Sequence, residues 1–95
     1  MLENKNLTAV FEEITRKINQ KADNAGQKLE DFIRQEDAIR PVIVAAYSRL
    51  PMIVRMVLKE EAFVNFLLQH REKLLLHNQI QPLVAEIVNK FINLK

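Results

Sequence analysis

His70 and His77 are the side chains in this sequence best suited to moving a proton or holding a metal, and they stand seven positions apart. On one helix they would share a face to within about 20° but lie about 10.5 Å apart along the axis. Zinc–nitrogen bonds are about 2.0–2.1 Å long, so a single ion cannot use both. His70-Arg71-Glu72 does not begin an HExxH motif, because no second histidine follows four positions on. Structural roles are expected instead: His70 on a core face, and His77 exposed in a last helical turn, where positive charge suits the helix dipole.

The acid pairs Glu12/Glu13, Glu30/Asp31, Glu36/Asp37 and Glu60/Glu61 could in principle serve acid–base chemistry. Neighbours on a helix point about 100° apart, and each pair has bases nearby, so solvated faces and helix starts account for them. Ser48, the only serine, sits in Ser48-Arg49-Leu50-Pro51, which reads as a helix junction. One glycine, Gly26, leaves no room for GxGxxG or a P-loop. Zero cysteines remove a disulfide framework, a thiolate metal site and a cysteine nucleophile. No catalytic, nucleotide or metal motif is left; the chain is expected to be neither an enzyme nor a cofactor carrier.

The remaining constellation is basic: Arg40, Arg49, Arg55, Lys59, Arg71 and Lys73. Residues 1–48 hold 7 bases and 8 acids (−1), and residues 49–95 hold 7 bases and 4 acids (+3). That asymmetry raises nucleic acid, or another anionic surface, as an alternative partner for the C-terminal half. It is not the favoured one. A DNA-reading helix offers several polar side chains to the bases, whereas these arginines stand among Val, Ile, Met and Leu.

The apolar run itself says more. From Val42 to Leu58, 13 of 17 residues are hydrophobic. Two arginines and Pro51 make it a poor membrane span, which needs about 20 apolar residues. Met52, Ile53, Val54, Met56, Val57 and Leu58 would cover every side of a helix except the direction of Arg55 and Lys59. A helix of that kind must be the centre of the fold or be covered by something else, and a small chain has little to surround it with. Arg55 is the only charge between Met52 and Leu58. In a monomer's core helix it should lie on the solvent strip or pair with an acid; at an interface it should meet a partner carboxylate.

The elements that position these residues are helical. Leu7, Phe11, Ile14 and Ile18 are spaced 4-3-4 and form one stripe. Asn6 suits an N-cap, and Glu12→Arg16 and Glu13→Lys17 have the favoured acid-first order on the other face. Ala22 and Ala25 continue the stripe to Leu29, Phe32 and Ile33. A continuous or slightly kinked helix from about Leu7 to Gln35 is therefore favoured over a break at Gly26. Glu30→Arg34 would support its last turns. Pro41 and Pro51 each suit a first helical turn, giving a short helix from Asp37 or Pro41 to Arg49 and another opening at Pro51. Lys59-Glu60-Glu61 either continues that helix or starts the next. A wide apolar arc runs from Glu61 to Leu76. Asn78 then caps a last helix bearing Ile80, Leu83, Val84, Ile87, Phe91 and Leu94. Ile39-Arg40-Pro41-Val42-Ile43 matches Ile80-Gln81-Pro82-Leu83-Val84 at an offset of 41. Stable solenoids need at least three units, so two helices with similar proline-marked starts is the simpler reading.

The whole chain is 95 residues, +2 in formal charge, 48% hydrophobic and 27% charged, which suits a single folded domain over 1–95 with a flexible N-terminus at 1–6. So few glycines and prolines argue against a β-sandwich or barrel. The expected fold is all-α: a compact bundle of four to six helices, with a long N-terminal helix and proline-punctuated middle helices. With no secretory leader or lipidation signal, the expected location is cytoplasmic. The expected function is protein–protein interaction, as an adaptor or regulator that self-associates into a homodimer. Its interface is either the Pro51–Leu58 helix or the Leu7–Ile33 stripe, and the candidate partner-binding residues are Arg49, Met52, Arg55, Met56, Lys59 and Arg71.

Overall fold

The computed structural model describes residues 4–92, apart from the side chains of residues 4, 5 and 77. Six α-helices follow one another: α1 (Asn4–Asn24), α2 (Leu29–Phe32), α3 (Glu36–Tyr47), α4 (Met52–Val57), α5 (Glu60–Gln69) and α6 (His77–Ile87). A 3-10 segment, Arg71–Leu75, links α5 to α6, and a π-helical turn, Val88–Ile92, extends α6. No strand occurs among the described residues. The fold is all-α.

The 4-3-4 stripe of α1 is the spine of the core: Leu7, Phe11, Ile14 and Ile18 are all buried, and Ala22 continues them. α1 packs on α3 and α6, and α3 packs on α5. Ile39, Val42, Ile43 and Ala46 of α3 meet this spine from one side, and Ile80, Leu83, Val84 and Ile87 of α6 from the other. Thr15 of α1 also donates to the Leu74 carbonyl at 2.9 Å, pinning the 3-10 segment to the spine. No polar or charged residue is buried among the described residues. Burial of this stripe inside its own subunit removes it as a candidate dimer interface.

α1 ends at Asn24, and Gly26 adopts φ +68°. The Gln27 amide donates to the Ala22 carbonyl at 3.0 Å and the Gly26 amide to the Asp23 carbonyl at 3.1 Å. Those two bonds form a Schellman cap, which satisfies the terminal carbonyls and turns the chain. The continuous helix to Gln35 is thus corrected. A straight helix would carry the cost of an interior glycine, about 1 kcal/mol, and take Phe32 and Ile33 away from the core, where both are buried. Nothing lies within 4 Å of a Cβ built on Gly26, so Gly26→Ala should cost only the left-handed backbone strain, about 1–2 kcal/mol. Gly26→Asn, which tolerates that conformation better, should cost less; denaturant melts of the two variants check the order.

Several local expectations are also revised. Asn6 lies inside α1, which already begins at Asn4, so it is no cap, and residues 4–6 are helical. Residues 1–3, and Leu94 of the last stripe, lie outside the described residues. α2 stops at Phe32, before Glu30 and Arg34 can share a helix. Leu76, in extended geometry, is the N-cap of α6 in place of Asn78, and His77 opens that helix instead of closing one; its side chain is outside the described residues.

Pro41 and Pro82 fall inside α3 and α6, each the sixth residue of its helix. Each removes the hydrogen bond to the carbonyl four residues back. Those carbonyls belong to Asp37 and Asn78, which are exposed, as are both prolines. At such exposed positions the loss of one bond is tolerable, and both helices run on. The short sequence echo is therefore a shared register of two helices flanking α1.

Candidate interaction surface

α4 is not the centre of the fold. Pro51 and Leu58 flank its six residues in extended geometry, and the apolar run is cut into a short peripheral helix. Leu50, Val54 and Leu58 are buried, so every fourth residue anchors the segment to the core. The opposite face stays in solvent: Met52 is 70% exposed, Ile53 66%, Met56 67% and Val57 39%. At 100° per residue these four span one continuous arc of the helix. Such a cluster is unlike the singly scattered apolar residues of an ordinary surface.

The backbone beneath the face is hydrogen-bonded from within. Tyr47, at the end of α3, donates its hydroxyl to the Leu58 carbonyl at 2.6 Å and lies 3.3 Å from that of Arg55. Arg55 turns its guanidinium inward, and its Nε donates to the Leu50 carbonyl at 3.1 Å. It does not sit free on a solvent strip, and it pairs with no acid among the described residues. Carbonyls at both corners of α4 thus need no water, and the segment can be covered at low desolvation cost. Tyr47→Phe should strip the Leu58 carbonyl of its partner and lower stability by about 1–3 kcal/mol. Amide exchange across 52–58 should accelerate more than exchange in α1.

The six residues singled out in the sequence do not form one patch. Met52 and Met56 lie on the exposed face. Lys59, exposed, precedes α5 at the far end of α4. Arg49 follows α3, with its guanidinium 3.7 Å from Glu13 and its side chain 63% exposed. Arg71 lies elsewhere: it donates to the Leu68 carbonyl at 2.6 Å and stands 3.8 Å from Glu36, which also faces Arg40 at 3.8 Å. Glu36 opens α3 and Arg49 follows its end, so about 18 Å of helix separates the two groups. Ile53 and Val57 belong to the face although neither was singled out; the i, i+1, i+4, i+5 pattern of 52, 53, 56 and 57 could have indicated them. Tyr47 had no such signal, because its acceptors lie 8 and 11 residues away in sequence.

Glu13 forms its closest pair with Arg16, at 2.6 Å, not the expected Lys17, and that hydrogen bond holds its carboxyl below the ordinary range. Beside it, Lys17, Lys21 and Arg49 rim a shallow groove between α1 and α3 of about 340 Å³, floored by Ile14, Val42 and Ala46.

His70 caps the end of α5, so the two histidines occupy different helices. Its ring stacks on Phe66 at 4.4 Å, and Nδ1 lies 2.8 Å from the Phe66 carbonyl. A carbonyl only accepts, so Nδ1 carries the proton. Nε2 faces Glu86 at 3.8 Å. The Ser48 hydroxyl is committed to the Ala45 carbonyl at 2.8 Å. Among the described residues no three His, Cys, Asp or Glu side chains are grouped to hold a metal, and no helix is long and apolar enough to cross a membrane.

Compared with known protein families, curated proteins and solved structures, the chain finds no match.

Proposed function

We propose that this protein acts through protein–protein contact, as a non-enzymatic adaptor or regulator, and that the α4 face is its contact surface, with self-association as its first use. The observation that carries this reading is the exposure of Met52, Ile53, Met56 and Val57 as one continuous arc on a helix whose carbonyls are satisfied from inside. Methionine adds adaptability, since its flexible thioether chain fits irregular partners. A cytoplasmic location is part of the same proposal; a chain without cysteine needs no oxidising compartment.

The alternative, an anionic polymer or surface bound through the basic C-terminal half, has less support. Its arginines are spread over both ends of α3, and two of them are held from within: Arg71 by the Leu68 carbonyl beside Glu36, and Arg55 by the Leu50 carbonyl. Light scattering over a dilution series tests the main reading. A dimer mass that falls toward the monomer on dilution is expected. A strictly monomeric mass at high micromolar concentration overturns self-association, and a polyanion complex that dissolves steeply with salt supports the alternative.

A further inference from the structure

We infer that the occupant of the α4 face is a second copy of this chain, packed antiparallel about a two-fold axis, so that Arg49 of each copy meets Glu60 and Glu61 of the other. This rests on the reading of α4 as a protein-contact surface. The four exposed side chains carry no charge, so what covers them must be apolar, and a two-fold contact supplies that by placing the same patch on both sides.

The flanks decide between occupants. α4 rises only about 9 Å, so groups at its two ends border the same small patch. Arg49 stands before its first turn, and the exposed carboxylates of Glu60 and Glu61 stand just after its last. The border is thus positive at one end and, despite Lys59, carries two carboxylates at the other. An anionic bilayer or polymer complements only the first end and repels the second. A parallel copy sets Arg49 against Arg49. An antiparallel copy complements both ends at once, twice over.

Arg49 is available for this. Glu13 takes its short hydrogen bond from Arg16 at 2.6 Å, whereas Arg49 stands 3.7 Å away, beyond hydrogen-bond distance, with its side chain 63% exposed. The patch is small beside the roughly 1,200–2,000 Å² of a stable interface. The resulting dimer is a weak one, in which end charges weigh heavily in setting orientation.

Paired charge reversals test the arrangement in the full chain by sedimentation at low salt. One variant is Arg49→Glu, and the other carries Glu60→Arg with Glu61→Arg. Each alone should dimerise at least about tenfold more weakly than the parent, because like charges are juxtaposed at both ends. An equimolar mixture of the two should form a heterodimer within about threefold of the parent affinity, since every end pair is then opposite in sign. Recovery in the mixture also shows that both chains are folded. Arg49→Ser, which places no new charge beside Glu13, gives a second measure of the arginine and should also weaken the dimer.

If the parent dimerises but the variants do so equally well, or if the mixture shows no recovery, the antiparallel arrangement is overturned while the α4 reading stands. A parent that stays monomeric at high micromolar concentration overturns both. So does a monomer that sediments with phosphatidylserine vesicles.

Discussion

Replacing Phe63 by alanine should remove about 3–5 kcal/mol of unfolding free energy, the usual cost of emptying a fully buried aromatic site. Phe63 has no exposed surface. Its ring meets Phe11 edge-on at 6.2 Å and Tyr47 at 5.6 Å, contacts that add to simple burial. It therefore joins α1, α3 and α5 at one point. A chain of this size has roughly 5–14 kcal/mol of stability in all, so the loss is a large share of the whole. The melting temperature should fall by upwards of about 15 °C. Phe63→Leu, which keeps apolar volume but loses both ring contacts, should fall distinctly less. Calorimetry on the two variants checks this, and a drop of under about 1 kcal/mol for Phe63→Ala would mean that the three helices do not depend on this contact.

Met56→Asp should have the opposite profile: little effect on the subunit and a large one on association. Met56 is 67% exposed, so an aspartate there remains hydrated in the free subunit and costs about 0.5 kcal/mol of helix propensity. In a dimer closed over α4 it would be an unpaired, desolvated carboxylate, which costs several kcal/mol. About 1.4 kcal/mol is a factor of ten in affinity, so dimerisation should weaken by at least about a hundredfold. Melts must be compared below the parent's dissociation constant, because dimer formation itself raises the apparent melting temperature. A Met56→Asp variant that still dimerises with parent affinity places the interface elsewhere on the molecule.

Much of the helical scaffold was legible in the chain. The 4-3-4 spacing of Leu7, Phe11, Ile14 and Ile18 can be satisfied only by a helix buried on that side, and all four are buried. Pro51 opens α4, and Glu60 and Glu61 occupy the first turn of α5, where the dipole favours them. The absence of cysteine and the single glycine likewise exclude thiolate sites and glycine-rich phosphate loops, because that chemistry needs those atoms.

Other features were not legible, for a shared reason. Periodicity tells which residues lie together on a face; it does not tell what stands opposite. The break at Gly26 was a choice between two near-equal local energies, tipped by the burial of Phe32 and Ile33 after the turn. Pro41 could continue α3 because Asp37, whose carbonyl it orphans, lies at an exposed position. Glu13 had Lys17 one turn away, yet Arg16 and Arg49 are nearer in space. The same holds for α4. Composition alone made Met52–Leu58 a surplus of apolar surface. Only the packed fold sorted it, turning Val54 and Leu58 inward and leaving Met52, Ile53 and Met56 in water. A 95-residue chain with one core has two sides to a peripheral helix, and just one of them can face that core.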